Sequence, residues 1–387
     1  MIKIGIDALS FHIPQRYLHM DSMAERHGID PAKFSKGIGQ EKIALTGPDE
    51  DIVTLAAEAA KPILEAEGVE GIDTMLFATE SGIDQSKSAG VFAHRLLGLP
   101  DNCRNVEMKH ACYSATAALQ LACGYIARHP AKKVLIVASD VSRYDLDSSG
   151  EATQGAGAVA MLITANPRIM EIDAASGIFT EDIMDFWRPN YRQTPLVDGK
   201  YSALRYLNSL SESWADYQAQ GGRAYDAFAG FCYHLPFSRM AEKGHRHLAK
   251  QVGVRPDMQH CLPGMIYNRQ IGNCYAASLY LALISALENT EADLAGKAIG
   301  MFSYGSGAVG EFFSGVVQPG YQDQLMSARH AKLLADRQEV SYDEYLALRE
   351  IPDGQPGGVI DIPASTNGRY RLASINEHKR VYIDTQD

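Results

Sequence analysis

At 387 residues with a formal net charge of −11, the chain is long enough for two ordinary domains or one large α/β unit, and too acidic to read as a nucleic-acid binder. Hydrophobic residues make up 46% and charged residues 21%, the balance of a globular protein. Six scattered cysteines without a Cys-x-x-Cys pair exclude a disulfide scaffold and a ribbon-type zinc site, and predict reduced thiols in a cytoplasmic protein.

The first residues, MIKIGIDALSF, lack a basic segment followed by a long apolar core, so they predict a strand over 3–11 rather than a targeting signal. Strand-like runs follow at 74–81, 133–140, 157–164, 228–235, 298–305 and 307–317. Helical runs lie between them at 53–67, 86–97, 114–128, 205–219, 275–288 and 322–337. After residue 350, loop punctuation precedes short strand-like pieces. Strands alternating with helices predict an α/β layered fold. No apolar run approaches the ~18 residues of a membrane span.

An internal repeat organises the chain. CYSATAALQLA (112–122) resembles CYAASLYLALI (274–284), and GAGAVAMLI (155–163) resembles GSGAVGEFF (305–313). Both pairs keep the order helix, strand, Gly-x-Gly-Ala-Val, strand. They predict two related halves, 1–168 and 169–387, packed about a pseudo-twofold axis, with Cys274 in the place of Cys112.

Cys112 stands at the entry to an apolar helix. The free N–H groups and partial positive charge there favour thiolate and could hold an oxyanion. A buried structural cysteine is the competing reading. Cys123 falls mid-helix and predicts packing, and Cys232 a core strand position. His234 ends a strand, with Pro236 expected to start the next helix, a position from which an imidazole can serve a pocket. His245 and His247 predict a solvated helix face without metal. Glu80 closes the run MLFATES; in an apolar pocket its pKa would rise toward neutrality, suiting it to proton transfer. Asn273 predicts a helix cap, or an amide aimed at the same pocket. The turn YGSGAVGE lets backbone approach a ligand closely and lacks the Gly-Lys-Ser/Thr of a nucleotide loop.

With FATES, ACYSATAALQLA, TEDIMDFWRPN, CYHLPFSRM, GNCYAASLYL and FSYGSGAVGEF in place, the chain resembles the 3-hydroxy-3-methylglutaryl-CoA synthases of the bacterial mevalonate pathway over nearly its whole length. The resemblance implies the thiolase fold, a five-layer αβαβα sandwich of two pseudo-symmetric halves, and a homodimer. It implies that acetyl-CoA acylates Cys112, that Glu80 removes a methyl proton, and that the resulting carbon attacks acetoacetyl-CoA. His234 would position the acetoacetyl group and supply a proton, and water would release HMG-CoA. No cofactor, metal, nucleic acid or membrane is implied. Tyr144, Thr153, Phe186, Ser202, Asn273 and Ser306 would line the acyl site, and Asp30, Lys33, Arg239 and Lys243 would face the CoA moiety. Arg239 and Lys243, four apart, would share one helix face and supply local positive charge.

Two positions depart from the family pattern. His110 stands where an acidic or neutral residue is more familiar, and would favour thiolate or face solvent. Cys274 adds a thiol that could lie near the pocket. The alternatives are an initiating ketoacyl-ACP synthase, which could use Cys112, His234 and Asn273 but has no role for Glu80, and a non-catalytic scaffold, which would not need all three reactive groups. A degradative thiolase would need a second catalytic cysteine beyond Cys274, and none follows.

Overall fold

The computed structural model describes residues 2–349 and 357–386, so the loop expected over 350–356 lies outside the described residues. The first half of the chain forms β1 (Ile4–His12), β2 (Arg16–His19), α1 (Met20–His27), β3 (Lys42–Leu45), α2 (Ile52–Glu67), β4 (Ile72–Ala78), α3 (Ala89–Leu96), β5 (Arg104–Met108), α4 (Ser114–Arg128), β6 (Lys133–Val141) and β7 (Ala156–Ala165). The second forms β8 (Met170–Thr180), β9 (Phe186–Trp187), β10 (Leu196–Val197), α5 (Gly199–Ala219), β11 (Phe228–Tyr233), α6 (Met240–Gln251), α7 (Leu262–Ile271), α8 (Ser278–Asn289), β12 (Ala298–Gly305) and β13 (Val309–Val317). Then come α9 (Ser327–Ala335), β14 (Gln338–Val340), α10 (Tyr342–Arg349), β15 (Val359–Asp361), β16 (Tyr370–Asn376) and β17 (Lys379–Asp384).

Nine strands lie in the order β11-β12-β13-β8-β1-β7-β6-β4-β5. The order mirrors itself about the β8–β1 seam: β1, β7, β6 and β4 answer β8, β13, β12 and β11. Two residue pairs, Gly5 with Glu171 and Ile6 with Met170, close that seam. Helix α2 packs outside β1 and β7, and α5 outside β8 and β13, while α4 and α8 lie between the two half-sheets. This is the expected layered thiolase-like arrangement. Alanines at 115, 118 and 122 of α4 and 276, 277 and 282 around α8 are buried, which lets the two central helices approach closely.

The repeat is real, but its register differs from that of the sequence match. Helices α4 and α8 begin at Ser114 and Ser278, a separation of 164 residues (278 less 114). Ala111 and Tyr275, at the same separation, both take left-handed backbone with φ 41°. Thr116 and Tyr280, again 164 apart, hydrogen-bond to each other across the axis at 2.9 Å. Cys112 therefore corresponds to Ala276, and Cys274 to His110. A match of shared letters found Cys-Tyr on Cys-Tyr, two residues out of register.

The repeated glycines mark where the halves touch. A Cβ on Gly155 would lie 2.6 Å from the Ile271 carbonyl oxygen and 2.9 Å from the Asn273 nitrogen. One on Gly305 would lie 2.7 Å from the His110 carbonyl oxygen and 2.8 Å from the Tyr113 nitrogen. Each glycine seats the helix-entry turn of the opposite half, where no side chain fits.

Several elements were not evident in the sequence. Strand β8 is eleven residues long, yet its polar, half-exposed residues break the apolar signal. The edge strand β5 is similarly exposed. Helix α5 starts at Gly199 rather than 205, because Asp198 caps it by accepting from the Tyr201 N–H at 3.0 Å. Helix α6 starts at Met240, not Pro236. His245 of that helix is fully buried, not solvated: its ring meets the Tyr233 hydroxyl at 3.0 Å and the Asp257 carbonyl oxygen at 3.0 Å. Strands β15–β17, counted with the second half by the 168/169 split, pack on α2 and α3 of the first. There Glu58 accepts from the Tyr370 N–H at 3.1 Å and Asp51 from the Tyr382 hydroxyl at 2.5 Å.

Candidate active site

Three chain segments converge at the central helix ends. Cys112 sits in the turn before α4, held by the Tyr113 N–H donating to the His110 carbonyl at 3.0 Å and the Ser114 hydroxyl donating to the Ala111 carbonyl at 3.1 Å. Between these bonds Ala111 is forced to positive φ, a conformation that costs about 1–2 kcal/mol for an L-residue. Glu80 lies two residues beyond the end of β4 and is 8% exposed. The Cys112 thiol donates to Glu80 Oε2 at 3.5 Å.

The thiol is the opposite of what its helix-end position predicts. Its pKa is pushed well up, first by burial and then by the carboxylates of Glu80, Asp140 and Asp185. The helix end is present, but burial and three acidic side chains outweigh it. Glu80 is itself pushed up by burial and by Asp140, against the pull of Arg188. Both groups are thus pushed toward their protonated forms, with the thiol directed at the carboxyl.

Asp140, at the end of β6, escaped the sequence reading. It is fully buried, and burial pushes its carboxyl up. Its Oδ1 accepts from the Thr79 hydroxyl (2.8 Å), the Glu80 N–H (2.9 Å), and the Ser81 N–H and hydroxyl (3.0 and 2.8 Å). Its Oδ2 accepts from the Ala276 N–H at 3.0 Å. One carboxylate thus ties the Glu80 turn to the entry of α8 in the other half. A lone acid closing the apolar strand run KVLIVASD is the signal that could have found it.

His234 follows β11 as Glu80 follows β4. It is 3% exposed, its N–H donates to the Phe302 carbonyl at 2.8 Å, and its carbonyl accepts from the Tyr206 hydroxyl at 2.9 Å. Burial lowers its pKa to about 3, so the ring is neutral, and Nδ1 is buried without a partner. His110 packs against the Gly305–Gly307 turn and is also pushed down by burial, so it supplies no imidazolium to the thiol. Cys274 is buried, its sulfur directed at the Gly272 carbonyl and lying beside Gly157.

Tyr144 and Phe186 stack edge-to-face at 6.1 Å, and both meet Tyr275, at 6.4 and 5.9 Å respectively. Tyr275, another residue missed in the sequence, has a buried hydroxyl without a partner. Thr153 donates to the Gly150 carbonyl at 2.7 Å, and its carbonyl accepts from the Asn273 N–H. Asn273 Oδ1 accepts from the Tyr275 N–H and the Ser278 hydroxyl, both at 2.9 Å, so it braces the turn before α8, whose N-cap is Ala277. The Ser202 hydroxyl donates to Asp185 at 2.8 Å, as does that of Tyr304, and the Gly307 N–H adds a third bond at 2.9 Å, fixing the turn that carries Ser306.

Of the four residues expected to face CoA, Arg239 joins α6 to the segment that carries Asp30 and Lys33. The Arg239 N–H donates to the Ile38 carbonyl at 2.9 Å and its guanidinium to the Lys36 carbonyl, docking α6 on the helical turn 33–38. Asp30, just before that turn, accepts from the Ala32 N–H at 2.9 Å, and Lys33 is exposed on it. Arg239 is paired with Glu242 at 3.0 Å, whereas Lys243 lies over the Phe237 ring at 4.9 Å. Among the described residues His27, Asp147 and Glu151 form the one cluster with metal-ligand types. Its ring nitrogens face different carboxylates, at 3.6 and 3.7 Å, the pattern of an imidazole bridging two acids rather than of groups converging on one ion.

The description "Hydroxymethylglutaryl-coenzyme A synthase N terminal" matches residues 2–168, and its C-terminal counterpart matches 251–353. A hydroxymethylglutaryl-CoA synthase of Enterococcus faecalis is 43% identical over 98% of this chain and 100% of that one. The chain belongs to the hydroxymethylglutaryl-CoA synthase family. Hydroxymethylglutaryl-CoA synthases condense acetyl-CoA with acetoacetyl-CoA, and this chain is such an acyltransferase, consistent with the mevalonate pathway. A solved HMG-CoA synthase complexed with CoA superposes with TM-score 0.94, at 41% identity, over 99% of this chain and 100% of that one. MvaS in complex with 3-hydroxy-3-methylglutaryl coenzyme A gives 0.92 at 35% identity, over 99% of each chain. A polyketide-biosynthesis 3-hydroxy-3-methylglutaryl-ACP synthase of Bacillus subtilis is 35% identical over 90% of this chain and 88% of that one. Family membership removes the ketoacyl-ACP synthase and scaffold alternatives.

Proposed function

We propose that Cys112, Glu80 and His234 carry the condensation as nucleophile, base and electrophilic donor. The observation that carries this is the half-buried Cys112 thiol donating to Glu80 Oε2 at 3.5 Å. The Cys112 sulfur attacks the acetyl-CoA carbonyl, the bond to the CoA sulfur breaks, and the thiol proton leaves with CoA. Glu80, as carboxylate, then takes a proton from the acetyl methyl group, and that carbon bonds to the ketone carbon of acetoacetyl-CoA. A neutral His234 hydrogen-bonds the ketone oxygen as negative charge develops there. Glu80 ends the step holding one proton and the alkoxide needs one, so the balance closes within the pocket. Water then cleaves the Cys112 thioester, giving the carboxylate and restoring the thiol.

Tyr144, Phe186 and Tyr275 make the apolar wall for the acyl chain, with Thr153, Ser202, Asn273 and Ser306 around it. Lys33 and Lys243 serve the CoA phosphates, while Asp30 and Arg239 hold the surface that presents them. CoA rather than an acyl carrier protein is the substrate carrier, supported by this basic group and by the 43% identity to a CoA enzyme. The protein needs no cofactor, and its six free thiols suit the cytoplasm. No helix among the described residues is long and apolar enough to cross a membrane. The edge strand β5, with Val106 43% exposed, and Leu121 of the adjoining α4, 61% exposed, fit a homodimer interface.

The test supplies acetyl-CoA or acetyl-ACP with acetoacetyl-CoA and follows acetyl-enzyme, free carrier and HMG-CoA. Acetylation of Cys112 and HMG-CoA formation from acetyl-CoA are expected. Turnover from acetyl-ACP alone would overturn the carrier assignment. Acetylation elsewhere than Cys112 would overturn the nucleophile.

A further inference from the structure

The pocket collects negative charge. Glu80, Asp140 and Asp185 all bear on the Cys112 sulfur, and burial pushes the imidazoles of His110 and His234 toward the neutral form. Yet the reaction passes through an enolate equivalent and an alkoxide. A site with three acids and two uncharged imidazoles calls for a cation close to the base.

Arg188 is that cation. It follows β9, on the β9–β10 hairpin, just beyond the Phe186 wall. Its guanidinium donates to the main-chain carbonyl of Glu80. The Glu80 N–H, on the other side of the same residue, donates to Asp140. The base is thus gripped from both sides, by an acid on the first-half strand β6 and by a cation on a second-half hairpin. The hairpin is itself anchored: Asp185 binds the Ser202 and Tyr304 hydroxyls, and Arg192 pairs with Asp145 at 2.9 Å. The Arg188 charge opposes that of Asp140 at the Glu80 carboxylate and also reaches the Tyr275 hydroxyl.

We propose that Arg188 is a positioning residue for the condensation: it fixes the Glu80 turn from the hairpin and supplies the positive charge against which Glu80 works as a carboxylate. The proposal rests on the base role given to Glu80. A guanidinium suits the task, because one nitrogen can hold the carbonyl while its delocalised charge faces the carboxylate.

The experiment measures single-turnover condensation of preformed acetyl-enzyme with acetoacetyl-CoA across pH. In Arg188→Gln the acidic limb is expected to move up by about one pH unit, because a carboxylate that loses a neighbouring cation ionises at higher pH. Arg188→Lys is expected to return the limb most of the way while the rate stays several-fold low. If Arg188→Gln does not fold, Arg188→Met, which retains the aliphatic stem, carries the same reading. A limb that stays in place in the neutral variant, or a rise in acetoacetyl-CoA KM alone, overturns the proposal, as does a limb displaced equally in Arg188→Lys. Glu80→Gln separates this from the underlying reading: condensation persisting there sinks the base assignment, whatever the Arg188 variants do.

Discussion

The ends of β4 and β11 occupy mirrored places in the two half-sheets, yet they carry opposite chemistry. At the first stands Glu80, an acid that burial and Asp140 push toward the protonated form. At the second stands His234, a base that burial holds uncharged, with a pKa of about 3. The helix entries diverge in the same way: Cys112 in the first half, Ala276 in the second, on matching backbone turns. A duplicated scaffold thus supplies two equivalent strand ends and two equivalent helix ends, and side-chain substitution divides the labour. Desolvation acts on both strand ends, pushing the acid's pKa up and the base's down.

That comparison can be broken most directly at the first strand end. Glu80→Gln should lower condensation by about 10²–10⁴-fold. Acetylation of Cys112 should persist, because the change removes a negative charge that suppresses thiolate. Iodoacetamide alkylation of Cys112 should accordingly be faster in that variant near pH 7. Equal loss of acetylation in a folded variant would show that Glu80 is needed for the first step too.

The second strand end should respond less. His234→Gln is expected to lower condensation about 10²–10³-fold, the usual cost of removing a donor to a developing oxyanion. In the wild type no pH limb above about pH 4 should belong to His234, since it titrates near 3. A limb near pH 6 that disappears in His234→Gln would show an imidazolium donor instead.

Asp140→Asn sharpens the link between the halves. It replaces a carboxylate that accepts five hydrogen bonds and should cost about 2–4 kcal/mol in chemical denaturation. It should also move the acidic limb of condensation to lower pH, since loss of a neighbouring negative charge lets Glu80 ionise earlier. The sign is opposite to that expected for Arg188→Gln, so the two variants together read the charge balance at the base.

The smallest effects separate packing from chemistry. Gly155→Ala and Gly305→Ala should each destabilise by about 1–3 kcal/mol, because both push on the opposite half. Gly305→Ala alone should also slow acetylation, since it displaces the turn that carries Cys112. Cys274→Ala should cost about 1–2 kcal/mol and leave turnover within about twofold of wild type.

Much of this was legible in the sequence. The strand runs at 3–11, 133–140 and 157–164 and the helix at 114–128 are close to their observed bounds, because buried apolar segments announce themselves by composition. The existence of two related halves followed from shared Gly-x-Gly and Cys-Tyr segments, and the resemblance carried by those segments led to the family. Strands β5 and β8 stayed hidden because their residues are half-exposed and polar. His245 was misplaced because a charged neighbourhood, AEKGHRHLAK, conceals an inward-facing position one turn from the apolar Ala241 and Leu248.

What the sequence determined by itself was therefore the layered fold, the duplication and the family. Tertiary structure decided the register of the duplication, since shared letters align cysteines while backbone angles and the Thr116–Tyr280 bond align helices. It also decided the charge states. Whether a thiol at a helix entry ionises depends on its burial and on the carboxylates around it, and Glu80, Asp140 and Asp185 act on Cys112 from three separate segments of chain. Electrostatic energy depends on distance through space and on burial, neither of which local sequence specifies.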